Sequence, residues 1–157
     1  SWFGFNGNVL SWLTSYLSAR NFVVNINSTM SDQFSLNQGV PQGSVLGPLL
    51  FILYTTPLSS LISDSSVSHH LYADDTQLFI SFAASDFSAN ILRLQATIDL
   101  VSNWMSSNLP PLPQAETEFL LIALPAQLSK ITDPTLLMPS NVTIVPANSA
   151  RNLGDHF

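Results

Sequence analysis

The chain has 157 residues, 46% of them hydrophobic and only 9% charged, with four Lys+Arg against ten Asp+Glu and a net charge of -6. That is apolar enough for one core, well below the roughly 25% charge of ordinary soluble domains, and the wrong sign for a free-standing protein that must neutralise phosphates. The absence of cysteine excludes a disulfide framework, a thiolate zinc site and a cysteine nucleophile.

From Val9 to Leu17 the apolar residues Val9, Leu10, Trp12, Leu13, Tyr16 and Leu17 share one helical face, with Asn6 or Asn8 as the cap. Phe22, Val24 and Ile26 then alternate with Asn21, Val23, Asn25 and Asn27. This predicts a strand that turns at Ser28-Thr29 and pairs with a second near Gln33 to Leu36. Gln38-Gly39-Val40-Pro41-Gln42-Gly43-Ser44 follows as a loop whose glycines permit a left-handed backbone or close approach. Ser44 is the expected cap of a helix starting near Gly47, Pro48 fits its first turn, and Pro57 is expected to end or kink it before Leu58 to Ile62.

After a polar loop from Ser63 to Ser68, His70 to Ala73 and Thr76 to Phe82 are strand-like, which puts Asp74-Asp75 in a two-residue hairpin connection. Phe87, Ile91, Leu94, Ile98, Val101 and Met105 recur at three- and four-residue spacing, so a helix runs from Asp86 or Ser85 to the prolines after Asn108. Glu118 to Leu124 then reads as a buried strand closed by Pro125. Short strands are expected at Val142 to Val145 and Ala150 to Leu153. There is no internal repeat, the longest apolar run is about half a membrane span, and neither a transmembrane helix nor a signal peptide is expected.

The carboxylate doublet is the one dense charge in a charge-poor chain. Two unit charges about 4 Å apart repel by roughly 4 kcal/mol at an effective dielectric of 20, so the pair is relieved either by a hard cation such as Mg²⁺ or by splaying into water. Pattern alone leaves both open.

Other residues favour structural roles. His69 and His70 are strand neighbours that point to opposite faces, and Ser44 lies in Gly-Ser-Val-Leu-Gly, which is not a nucleophile elbow. Trp2, Trp12 and Trp104 have no interleaved basic residues, as a base-stacking platform would. Arg20 and Arg93 are either phosphate contacts or solvated surface.

The run Gln38 to Phe51, followed about twenty residues later by Leu71-Tyr72-Ala73-Asp74-Asp75-Thr76, resembles motifs B and C of the reverse transcriptases of non-LTR retrotransposons. Trp12 to Val24 is similar to the segment before B, and Asn103 to Leu124 and Ala150 to Gly154 to the segments after C. The resemblance implies an α+β fold: a truncated polymerase palm over residues 1–157, its antiparallel strands carrying an Asp-Asp hairpin tip backed by helices, with fingers, motif A strand and thumb absent.

By the same resemblance Asp74 and Asp75 are the catalytic, Mg²⁺-binding pair, with Mn²⁺ as a substitute. Gln38, Gly39, Pro41, Gln42 and Gly43 lie along the incoming nucleotide and template, and Tyr72 packs beside the primer end. The implied partners are an RNA template, a DNA primer and deoxynucleotides, with no membrane; the cellular location stays open, intracellular (nucleus or cytoplasm) if the chain is expressed. The family reaction is a two-metal transfer to the primer 3′-hydroxyl.

Two departures weigh against activity in isolation. The family's third aspartate comes from a strand upstream of the helix resembling Trp12 to Ala19, and Glu116 stands where the family stretch usually has the Lys of Lys-Thr-Glu-Phe-Leu. An ionised carboxylate cannot supply the proton that such a lysine gives to departing pyrophosphate, a form of assistance worth about 10²–10⁴-fold. The expectation is therefore an inactive fragment with weak or no nucleic-acid binding. The competing reading is a non-catalytic remnant acting as an apolar interaction module.

Overall fold

The computed structural model describes every residue except 1–2, 42, 74, 109–116, 150, 153–154 and 157; for 151, 152, 155 and 156 only the backbone is described. It divides into two compact units, Ser1–Leu50 and Phe51–Phe157. Helices alternate with two-stranded antiparallel hairpins, and among the described residues no sheet exceeds two strands.

In the first unit α1 (Gly7–Leu17) follows Asn6, the expected cap position. The Asn6 side chain nevertheless turns back to donate to the Gly4 carbonyl at 3.0 Å. The helix ends with Ala19 in the left-handed region, φ 51°, with the Ser18 amide donating to the Ser15 carbonyl at 3.4 Å and Arg20 Nε adding a side-chain cap on the Leu17 carbonyl at 3.2 Å.

The expected hairpin forms as two ladders. β1 (Asn21–Phe22) pairs with β4 (Phe34–Ser35), and β2 (Asn25–Ile26) pairs with β3 (Thr29–Met30). The turn is Asn27-Ser28, one residue earlier than predicted, because both residues carry the positive φ (50° and 66°) that a tight two-residue hairpin turn needs. Between the ladders Ser31 does double duty: its amide donates to the Val24 carbonyl at 2.9 Å and its Oγ accepts from the Val24 amide at 3.0 Å. No described residue of this unit is buried.

α2 (Gly47–Asp64) begins where predicted but runs on through Pro57. The proline removes one intrahelical bond, a cost of about 3 kcal/mol. Leu58 and Ile62, one turn apart beyond it and each 1% exposed, offset this, since a fully buried side chain of that size contributes about 1.5–3 kcal/mol.

The second unit is built on the core of Leu58, Ile62, Val67, Phe87, Ile91, Leu94, Phe119 and Leu136. β5 (Ser68–Tyr72) and β6 (Asp75–Phe79) form a hairpin that packs Leu71 and Leu78 on that core. After a short 3-10 turn at Ala84–Asp86, α3 (Phe87–Asn108) buries Phe87, Ile91, Leu94 and Thr97, close to the predicted bounds and face. No helix among the described residues is long and apolar enough to cross a membrane.

Glu118 to Leu124 does not form the predicted strand. Only a parallel bridge joins Leu120 to Ala147, with the Ala147 amide donating to the Phe119 carbonyl at 2.8 Å, and the single turn α4 (Pro125–Leu128) follows. With Leu124 extended and Pro125 at the first helical position, the chain turns before a ladder can extend. β7 (Leu136–Leu137) pairs with β8 (Thr143–Ile144), inside the predicted Val142 to Val145, and β9 (Arg151–Asn152) pairs with β10 (Asp155–His156).

Candidate active site: a carboxylate hairpin and a glycine loop

Tyr72 and Asp75 face each other across the last rung of the β5–β6 hairpin. Asp75 therefore belongs to a strand, so the connection does not consist of Asp74 and Asp75 as expected. Ala73, with φ 50°, leaves β5 in the left-handed region, which requires an early, tight turn. Asp74 lies outside the described residues. Both Tyr72, 65% exposed, and Asp75 open to solvent.

Strand alternation sorts the remaining side chains. His70 and Gln77 form the pair two positions below Tyr72 and Asp75, on the same face. His70 packs edge-on against Phe79, ring centroids 5.2 Å apart. His69 points the other way, and its Nε2 meets Ser59 Oγ of α2 at 2.7 Å. A cavity of about 520 Å³ is lined by Ser59, His69, His70, Leu71, Tyr72, Asp75 and Gln77. His69 ties the hairpin to α2, and among the described residues no group of three or more His, Asp or Glu is placed to grip a metal.

The loop Gln38 to Gly43 belongs to the first unit. Gln38, Gly39, Pro41 and Gly43 are exposed, and Gln42 lies outside the described residues. Gly39 and Gly43 have φ of +70° and +82°, and among the described residues a Cβ at either would meet nothing within 4 Å. The backbone angle demands glycine here, and the space beside it is open. Two turns then lead into α2, from the Ser44 amide to the Pro41 carbonyl and from the Gly47 amide to the Ser44 carbonyl, each 3.0 Å.

Ser44 was expected to cap α2 with its hydroxyl; instead Ser44 Oγ and Tyr16 Oη form a 2.8 Å hydrogen bond. Sequence reasoning put Tyr16 on an apolar helix face and missed this link, since no spacing rule connects residues 28 positions apart. The hydroxyl on an otherwise apolar stripe was the available signal. Glu116 lies outside the described residues.

A sequence profile of the family described as reverse transcriptase (RNA-dependent DNA polymerase) matches residues 2–154. The chain is 45% identical over 67 residues to the "Probable RNA-directed DNA polymerase from transposon X-element" of Drosophila melanogaster, covering 40% of this chain and 7% of that protein. It is 38% identical over 74 residues to the corresponding protein from transposon BS of the same organism (44% of this chain, 8% of the relative). The "RNA-directed DNA polymerase from mobile element jockey", also from Drosophila melanogaster, is 31% identical over 96 residues, 57% of this chain and 10% of the relative. No solved structure matches. The chain thus spans a tenth or less of the length of these relatives. With the profile covering nearly all of it, the chain belongs to the reverse transcriptase family, as a partial domain of the non-LTR retrotransposon type.

Proposed function

We propose that this chain is the palm segment of an RNA-directed DNA polymerase that extends a DNA primer on an RNA template, with Asp74 and Asp75 as its metal-binding carboxylates. The observation that carries the reading is the hairpin opening at Tyr72 and Asp75, preceded in the chain by an exposed glycine loop, in a member of the reverse transcriptase family. That membership favours a polymerase origin over an apolar interaction module.

The donor set fits a hard divalent cation in kind: Asp75 presents an exposed carboxylate at the mouth of the hairpin, and Asp74 precedes it in the chain. Among the described residues, which do not include Asp74, no group of three or more acidic or histidine ligands is placed to hold a metal. Asp74 and Asp75 would hold Mg²⁺, which when bound would supply charge neutralisation at the transferring phosphate and a lowered pKa for the primer hydroxyl. The chain's own groups orient the reactants. Tyr72 gives the terminal primer nucleotide an apolar face, and the open space beside Gly39 and Gly43 lets the incoming nucleotide approach backbone amides. In the family's pattern the third carboxylate comes from a strand preceding the helix that resembles Trp12 to Ala19, so the expected outcome for residues 1–157 alone is no primer extension.

The test grafts this chain in place of the matching segment of the X-element polymerase and measures primer extension on RNA with Mg²⁺. The graft extends, and Asp74→Asn lowers extension by about a thousandfold, the scale of several kcal/mol of lost charge stabilisation. A graft that is folded and inert, or one indifferent to Asp74→Asn, overturns the proposal.

A further inference from the structure

Resting on the reading of Gln38 to Gly43 as the nucleotide-facing loop, we infer that Tyr16 is a positioning residue for that loop and acts through Ser44. Ser44 is the node where the loop becomes a helix. Its amide reaches back to the Pro41 carbonyl and its carbonyl accepts from Gly47, while its hydroxyl meets Tyr16 Oη at 2.8 Å. The tyrosine is itself held: Trp12, one turn earlier on α1, stacks on its ring with centroids 5.5 Å apart and planes 12° apart.

The loop needs such an anchor. Two of its residues are glycines at positive φ with no described neighbour within 4 Å of a Cβ position, so the loop has little side-chain packing of its own and many backbone states to lose on binding. A hydroxyl fixed on a neighbouring helix narrows those states in advance and lowers the ordering cost of holding a ligand. Tyr16 touches no reactant in this scheme. It sets where the Gly43 backbone stands when the nucleotide arrives.

The experiment uses the chain itself, titrated with dTTP and Mg²⁺ and followed by tryptophan fluorescence, with amide hydrogen exchange across residues 7–47. Tyr16→Phe keeps the ring on Trp12 and removes only the hydroxyl; Ser44→Ala removes the other partner. Each weakens dTTP binding by about three- to tenfold, the scale of one net hydrogen bond. The double variant is no worse than either single one, Ser44→Thr retains binding, and exchange accelerates at residues 38–47 but not along α1.

Four results overturn the inference. Unchanged dTTP affinity in Tyr16→Phe and Ser44→Ala, with Asp74→Asn weakening it, removes the positioning role and leaves the polymerase reading standing. Weakened binding without faster loop exchange makes the hydroxyl a direct ligand contact. Faster exchange along all of α1 makes it a general packing group. A chain that binds no dTTP at all removes the reading of the loop and this inference together.

Discussion

Thr97, fully buried on α3, shares its one hydroxyl proton between the Arg93 carbonyl at 2.9 Å and Ser65 Oγ at 3.0 Å, and Ser65 Oγ in turn donates to the Ile62 carbonyl at 2.6 Å. This relay joins the middle of α3 to the end of α2, just before Val67 enters the core and β5 begins. It therefore fixes where the hairpin carrying Tyr72 and Asp75 starts.

Thr97→Val keeps the shape and deletes the donor, so Ser65 loses its buried partner. The expected cost is about 1–2 kcal/mol of stability. In a double-mutant cycle with Ser65→Ala, read by urea unfolding, the two changes couple by about 0.5–1.5 kcal/mol. Additive effects would mean that the relay contributes nothing beyond packing.

Pro57 is the second lever on the same helix. It lies inside α2 and cannot donate to the carbonyl of Leu53, one turn earlier. Pro57→Ala restores that bond and a good helix former, so the chain gains up to about 3 kcal/mol, visible as a higher urea midpoint with unchanged slope. A lower midpoint would show that the ring's packing outweighs the missing bond.

Sequence periodicity carried the helices because burial follows it: α3 buries Phe87, Ile91 and Leu94, the residues whose three- and four-residue spacing predicted it. It failed where backbone angles decide. Asn27 and Ser28 adopt the left-handed region, and neither is the glycine that would have announced the turn, so the predicted turn was one residue late. Ala73 does the same next to the carboxylates, which moves Asp75 from the connection into β6. At Pro57 the sequence left an end or a kink open, and α2 does not end there, since the two leucine-sized side chains buried beyond it outweigh the lost bond. Of the candidate site, the motif order was legible from the residues, whereas Tyr16 with Ser44 and Ser59 with His69 are contacts that only the folded chain creates.

Tyr72 offers a functional prediction separable from stability. At 65% exposure it contributes little to the core, so Tyr72→Ala costs within about 0.5 kcal/mol of folding free energy. In the grafted polymerase the same change raises the primer concentration needed for half-maximal extension at least about fivefold, the loss of one aromatic stacking contact. His70→Ala, which removes the edge-on contact with Phe79, is the comparison: its effect falls on stability first. A Tyr72→Ala enzyme with unchanged primer dependence would remove Tyr72 from the primer site.

Gly43 and Gly47, four residues apart at the entry to α2, respond in opposite directions to the same added methyl. Gly43 has φ +82° and no described atom within 4 Å of a Cβ, so Gly43→Ala clashes with none of the described residues but must adopt a left-handed backbone, at a cost of about 1 kcal/mol or more. Gly47 is the first residue of α2, and its Cβ would stand 3.6 Å from Val40 Cγ2 and 3.8 Å from Ser44 Cβ, ordinary contact distances. Gly47→Ala therefore stabilises the chain by about 0.4–1 kcal/mol by restricting the unfolded state. Urea unfolding of both variants checks the pair, and amide exchange at residues 38–47 separates the causes: faster in Gly43→Ala, slower in Gly47→Ala. If both variants lose stability, the added methyl at Gly47 disturbs Val40 or Ser44, and the loop is packed more tightly against the helix start than these distances imply.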